Sequence, residues 1–130
     1  MSDQEFNESL RTFAFHGIGL LLGSMFDDGT ALSAVDIDDE RYTKIVEALL
    51  GEPPCARVGS KGIGIFVRSR GALRTRRYRF VDQNPHVEVL GQRAYILIPP
   101  TVHYLTQRPY RWLTNSLLDV DYRQLPLIEA

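Results

Sequence analysis

The sequence predicts an α+β domain, a mostly antiparallel β-sheet carrying one main helix. Three observations carry this. Helical spacing of apolar residues, bounded by a start and a stop signal, is confined in its long form to one stretch, residues 38–51. Short β-prone runs follow one another from residue 63 to residue 98, separated by turn residues. Strands and helices do not alternate regularly, which argues against a parallel βαβ sheet.

Residues 1–12 are polar and are expected to be poorly ordered or weakly helical. Phe15 to Leu22 is an apolar run holding Gly17 and Gly19. It predicts a strand with close neighbours, because glycine inside a strand marks such an approach. Asp27-Asp28-Gly29 is a turn signal, and Ala31 to Ile37 is a buried strand.

Asp38-Asp39-Glu40 opens the helix, where acids suit its positive end. Ile45, Val46, Leu49 and Leu50 form its expected apolar face; Gly51 ends it and Pro53-Pro54 prevents it from resuming. The runs Ile63–Val67, Arg76–Phe80, Val87–Leu90 and Tyr95–Ile98 then predict an antiparallel meander with tight turns. Tyr110–Leu113 is a last strand or a packing segment, and Asp119–Leu125 is a short terminal helix stopped by Pro126.

With 130 residues, one domain over 1–130 is the expectation. A net charge of −1 carries no nucleic-acid signal, so any such signal must lie in the distribution of charge. The single cysteine, Cys55, excludes an internal disulfide framework and a multi-thiolate zinc site, and reads as a small filler beside two prolines. No apolar run has the roughly 18–20 residues of a membrane span, and the acidic, polar start is not a signal peptide. A soluble, cytoplasmic protein with no membrane partner is expected.

Five groups of residues could carry chemistry. Asp36 and Asp38 end an apolar strand and share a face, with Ile37 pointing to the core. Adjacent carboxylates repel unless a cation sits between them, and Mg²⁺ or Mn²⁺ suits oxygen ligands. The alternative is that Asp38 or Asp39 simply caps the helix. Glu88, between Val87 and Val89, points away from the core side, either to solvent or to a site. The segment Gly59-Ser60-Lys61-Gly62-Ile63-Gly64 lets backbone N–H groups approach an anion, with Lys61 adding charge; a plain hairpin turn explains it equally. It lacks the order and the following helix of a Walker A loop.

Arg68, Arg70, Arg74, Arg76, Arg77 and Arg79 place six arginines within twelve residues, on what reads as one hairpin. They suit phosphates, with Tyr78 and Phe80 interleaved for base stacking. A solvated, charge-protected hairpin is the other reading. Finally, in Ile98-Pro99-Pro100-Thr101-Val102-His103 the prolines fix an extended exit, so that Thr101 and His103 project. His103 binds a phosphate there or serves the loop structurally.

In their order these blocks resemble the primase–polymerase (Prim-Pol) domain of the archaeo-eukaryotic primase superfamily, from about Gly17 to Ile128. Ala34-Val35-Asp36-Ile37-Asp38 resembles the family's acidic pair, Gly59 to Phe66 its second motif, and Val87-Glu88-Val89-Leu90-Gly91 its third acid. Tyr95 to His103 and Pro109-Tyr110-Arg111-Trp112-Leu113 are the more specific matches, followed by Leu125-Pro126. The resemblance implies an RRM-like catalytic core, shortened at its N-terminus, since 35 residues precede Asp36. It implies a DNA primase or polymerase that transfers nucleotides from nucleoside triphosphates to a 3′-hydroxyl on a DNA template.

Asp36, Asp38 and Glu88 would then be the catalytic, metal-binding acids for Mg²⁺ or Mn²⁺. Ser60, Lys61 and His103 would lie at the triphosphate, and a separate replicative helicase would be a partner. One departure stands out: Gly64 occupies the position where the family carries a nucleotide-holding histidine. His86 or Lys61 is a candidate substitute. A degenerate module that binds nucleic acid, nucleotide or a replication partner without catalysis is the alternative the resemblance leaves.

Overall fold

The computed structural model describes residues 2–5, 7–8, 17–59, 62–79, 85–103 and 106–129; at 79, 85 and 86 the description is of the backbone. Residues 3–5 and 7–8 are helical. Among the described residues nine strands follow: β1 (Ile18–Leu21), β2 (Thr30–Ile37), β3 (Ala56–Val58), β4 (Ile63–Arg70), β5 (Arg76–Arg79), β6 (Pro85–Leu90), β7 (Tyr95–Ile98), β8 (Arg111–Trp112) and β9 (Leu127–Ile128). The main helix, α1 (Glu40–Leu50), lies between β2 and β3. The expected α+β class, mostly antiparallel with one main helix, is what the chain forms.

The expected meander is not. The large sheet has the order β5-β6-β2-β4-β3-β8, and β9 joins β4 in parallel. The strands β4 and β5 are therefore separated by β2 and β6, although only a short loop joins them in sequence. β7 leaves the large sheet and pairs with β1, Ile18 opposite Ile98. The physical reason is hydrophobic demand. β2 and β4 are buried on both faces over most of their length, so they become central strands, flanked by β6 from a distant part of the chain on one side and by β3, the preceding strand, on the other.

Side-chain alternation divides the core into two clusters on opposite faces of the sheet. Val35, Ile37, Ala56, Ile63, Ile65 and Val67 pack against Tyr42, Val46 and Leu50 of α1. Leu32, Ala34, Phe66 and Leu90 pack on the other face against Leu22, Ile96, Cys55 and Leu125. Asp36 has the parity of Ala34, so it faces the β1/β7 side.

Asp39, in an extended conformation, is the N-cap of α1 and accepts from the Arg41 N–H. Gly51 closes the helix with φ of 80°. The predicted apolar face is only half right. Val46 and Leu50 pack inward with Tyr42, while Ile45 and Leu49 are exposed. The helix shows the sheet a narrow stripe at positions four apart, and Ile45 and Leu49 fall beside it.

The predicted terminal helix is two 3₁₀ turns, Leu117–Asp119 and Tyr122–Gln124, before β9. Pro126 lacks the N–H that a longer helix needs, and its carbonyl instead accepts from the Arg68 backbone N–H at the edge where β9 joins β4. β3 was not evident from the sequence, because three residues carry no readable period.

Gly17 and Gly19 are where close approach demands glycine. A Cβ on Gly17 would lie 2.6 Å from Thr101 Cγ2, and one on Gly19 would lie 3.2 Å from Tyr95 Cδ2. Thr101 does not project as expected. It is buried, and its hydroxyl oxygen accepts from the Ile18 N–H at 2.7 Å, fastening the exit of β7 to the start of β1.

Candidate active site

The site is built by register. Directly opposed residues in antiparallel strands share a face. Arg77 of β5 lies opposite Glu88 of β6, Glu88 opposite Asp36 of β2, Asp36 opposite Gly64 of β4, and Gly64 opposite Arg57 of β3. A single row thus crosses five strands and reads basic, acidic, acidic, glycine, basic. The two acids, 52 residues apart in sequence, become nearest cross-strand neighbours. Asp38 follows Asp36 just beyond the end of β2.

The row is paired at both ends. Arg77 Nε lies 3.5 Å from Glu88 Oε2, and Arg57 Nη1 lies 3.9 Å from Asp36 Oδ1. Burial pushes the Asp36 carboxyl up to about 6; Arg57 opposes the rise, and Asp38 and Glu88 add to it. A cavity of about 460 Å³ opens onto the row, lined by Asp36, Glu88, Thr75, Arg77, Gln92, Arg93 and Tyr95.

Arg57 and Arg93 were not evident in the sequence. Arg57 lies in β3, which has no readable period. Arg93 sits in a turn, and its φ of 69° was the kind of feature only coordinates display.

Gly64 has a local explanation. A Cβ there would lie 2.9 Å from Ile96 Cδ1 and 3.1 Å from Arg57 Cζ. The Arg57 guanidinium passes over the bare glycine to reach Asp36, so a larger residue at 64 and this position of Arg57 exclude one another. His86, the suggested substitute, has a side chain outside the described residues.

The remaining candidates fall in several places. Ser60 and Lys61 lie outside the described residues; their flanks, Gly59 and Gly62, join β3 to β4 as a hairpin connection. Gly62 has φ of 70°, and a Cβ there would lie 1.7 Å from the Ile37 carbonyl oxygen, so this turn is pressed against the end of β2 beside Asp38. The His103 ring lies 5.4 Å from that of Tyr110, and the Arg57 Cζ lies 4.7 Å from the Tyr110 ring centroid. A continuous line of contacts thus runs from Asp36 through Arg57 and Tyr110 to His103.

The six arginines do not share one hairpin. Arg68 is a structural clamp: its Nε–H donates to the Leu125 carbonyl, Nη1 to Asp28 and Nη2 to the Arg123 carbonyl. Arg70 pairs with Glu129 at the surface. Arg74, Arg76 and Arg77 are exposed; Arg77 shares the face of Glu88, whereas Arg76, opposite Val89, lies on the α1 side of the sheet, and a register irregularity between Tyr78 and Arg79 interrupts the alternation expected there; the Arg79 side chain is not described.

The carboxylate oxygens of Asp36 and Glu88 are the donor type that a hard divalent cation takes. Among the described residues, however, no three His, Cys, Asp or Glu side chains are already gathered as metal ligands. A cation would be held by the Asp36–Glu88 pair with Asp38 drawn in. Among the described residues, no helix is long and apolar enough to cross a membrane.

An antiparallel sheet thus sets two acids opposite each other beside a cavity that Arg77 and Arg93 also line. The family is the one described as bifunctional DNA primase/polymerase, N-terminal (Prim-Pol), which the chain matches over residues 4–128; the chain belongs to it. No curated protein and no solved structure matches the chain.

Proposed function

We propose that this chain is a metal-dependent nucleotidyl transferase that adds nucleotides from nucleoside triphosphates to a 3′-hydroxyl on a DNA template. The observation that carries this is the direct opposition of Asp36 and Glu88 in the lining of an open cavity, with Asp38 just beyond the end of β2. In this reading Asp36, Asp38 and Glu88 hold Mg²⁺ or Mn²⁺, which, when bound, stabilises charge on the attacking and leaving oxygens. Ser60, Lys61 and His103 take the triphosphate, and Arg74, Arg76, Arg77 and Arg79 take backbone phosphates of nucleic acid. The protein's part is positioning and charge neutralisation. Its partners would be nucleoside triphosphates, DNA and a separate replicative helicase, in the cytoplasm.

A second reading, a non-catalytic binding module, is favoured by one observation: Arg57 and Arg77 already bracket the acids. Calorimetry separates the two. Nucleoside triphosphate binding that requires Mn²⁺ and disappears in Asp36→Asn/Asp38→Asn supports the enzyme and is followed by primer extension. An intact fold without binding moves the function to the arginines.

A further inference from the structure

Arg93 stands where its turn calls for another residue type. The turn between β6 and β7, Gly91-Gln92-Arg93-Ala94, is closed by the Ala94 N–H, which donates to the Gly91 carbonyl at 3.1 Å. Its third residue, Arg93, has φ of 69°. A turn that is left-handed at its third position takes glycine or asparagine there, because a Cβ is strained in that region. The turn is also fastened from outside. The Gln92 N–H donates to the Leu73 carbonyl at 2.7 Å and the Leu22 N–H to the Ala94 carbonyl at 2.8 Å. Arg93 therefore cannot relax by sliding the turn, and strain held at the edge of a cavity points to a function there. Arg93 is exposed and lines the cavity of Asp36 and Glu88, yet among the described residues it pairs with no carboxylate. Arg77 and Tyr95, the latter 67% exposed, share that lining. Arginines for phosphates beside an aromatic face for a base compose a strand-binding groove rather than a site for a free inorganic anion.

We infer that Arg93, with Arg77, takes the last phosphodiester of the DNA strand whose 3′-hydroxyl is extended. This rests on the nucleotidyl-transfer reading above. The order of the sheet gives the side. The cavity lies over β5 and β6, whereas Ser60, Lys61 and His103, the residues proposed for the triphosphate, belong to the β3 side, and Asp36 and Glu88 stand between. Attacking and leaving oxygens lie roughly in line in phosphoryl transfer. With the leaving pyrophosphate on the β3 side, the attacking hydroxyl and its strand come from the Arg93 side. The strained turn then serves a function: it aims a cation at the strand from a fixed backbone.

The test measures, on the full chain, binding of primer–template DNA with a recessed 3′ end by fluorescence anisotropy and of a nucleoside triphosphate with Mn²⁺ by calorimetry. Arg93→Gly is expected to melt no lower than wild type, since glycine takes φ of 69° without strain. It is expected to lose about tenfold in DNA affinity, with a salt slope shallower by about 1, and to bind the triphosphate as wild type does. A neutral methylphosphonate in place of the primer's last phosphodiester is expected to weaken wild type by a similar factor and Arg93→Gly hardly further. Arg123→Ala removes the same charge at an exposed arginine away from the cavity and is expected to keep wild-type DNA affinity. Equal DNA affinity in wild type and Arg93→Gly overturns the inference. So do losses from the variant and the methylphosphonate that simply add, a loss confined to the triphosphate, or a wild type that binds no primer–template. A wild type that binds the DNA through Arg93 but takes no triphosphate refutes nucleotidyl transfer and leaves the strand contact standing.

Discussion

Asp36→Asn should make the metal-free protein more stable while removing its metal site. Burial raises the Asp36 carboxyl from an ordinary 3.8 to about 6. At roughly 1.36 kcal/mol per pH unit, ionising it in the folded chain therefore costs about 3 kcal/mol more than in the unfolded one. The side chain keeps 25% exposure, so about 2 kcal/mol is the working figure. The sign follows from proton counting. Between 3.8 and about 6 the folded chain holds a proton that the unfolded chain has lost, so stability falls as pH rises through that window and then levels. Asparagine mimics the protonated acid and escapes this loss.

Urea unfolding in EDTA should show Asp36→Asn more stable than wild type by about 2 kcal/mol at pH 7.5, with a melting temperature higher by about 5–10 °C. The difference should vanish below pH 4, where both side chains are neutral. Other titrating groups cancel in the comparison. Adding Mn²⁺ should raise wild-type stability and leave the variant unmoved. A variant that is less stable than wild type at pH 7.5, or a difference that does not change with pH, would refute the argument that the acidic row is held together under charge stress.

Four further outcomes follow from the same geometry. Arg77→Ala should tighten Mn²⁺ binding about two- to fivefold by calorimetry, since an exposed pair of about 0.5–1 kcal/mol no longer competes for Glu88. Arg68→Ala should lower stability by about 1–3 kcal/mol in urea, because it frees two buried-edge carbonyls and Asp28, yet leave affinity for single-stranded DNA unchanged by fluorescence anisotropy. Gly62→Ala should abolish the cooperative thermal transition, since φ of 70° and a contact with the Ile37 carbonyl leave no room for a methyl group. Leu125→Ala, at a residue 1% exposed that holds the C-terminal segment to the core, should cost about 2–5 kcal/mol by urea unfolding.

What the chain encodes locally was legible in its sequence. The apolar run of β2 declared a buried strand, Asp39 and Gly51 bounded α1, and Tyr95–Ile98 emerged as a strand with the predicted bounds. The parity of Asp36 and Ile37 followed from the two-residue period, as did that of Glu88 between its valines. Family membership was legible too, because the order of motifs is a one-dimensional property.

Pairing is not one-dimensional, and it was decided only by the tertiary structure. Strands near in sequence looked like a meander, but β2 and β4, buried on both faces, drew β6 and β3 to their sides, and β7 was left for β1. That choice set Asp36 against Glu88 and split the arginines between a C-terminal clamp and the cavity edge. It also brought Arg57, invisible in a three-residue strand, over Gly64 and beside Asp36. A local period says which way a side chain points; only the competition of all strands for buried neighbours says what it meets there.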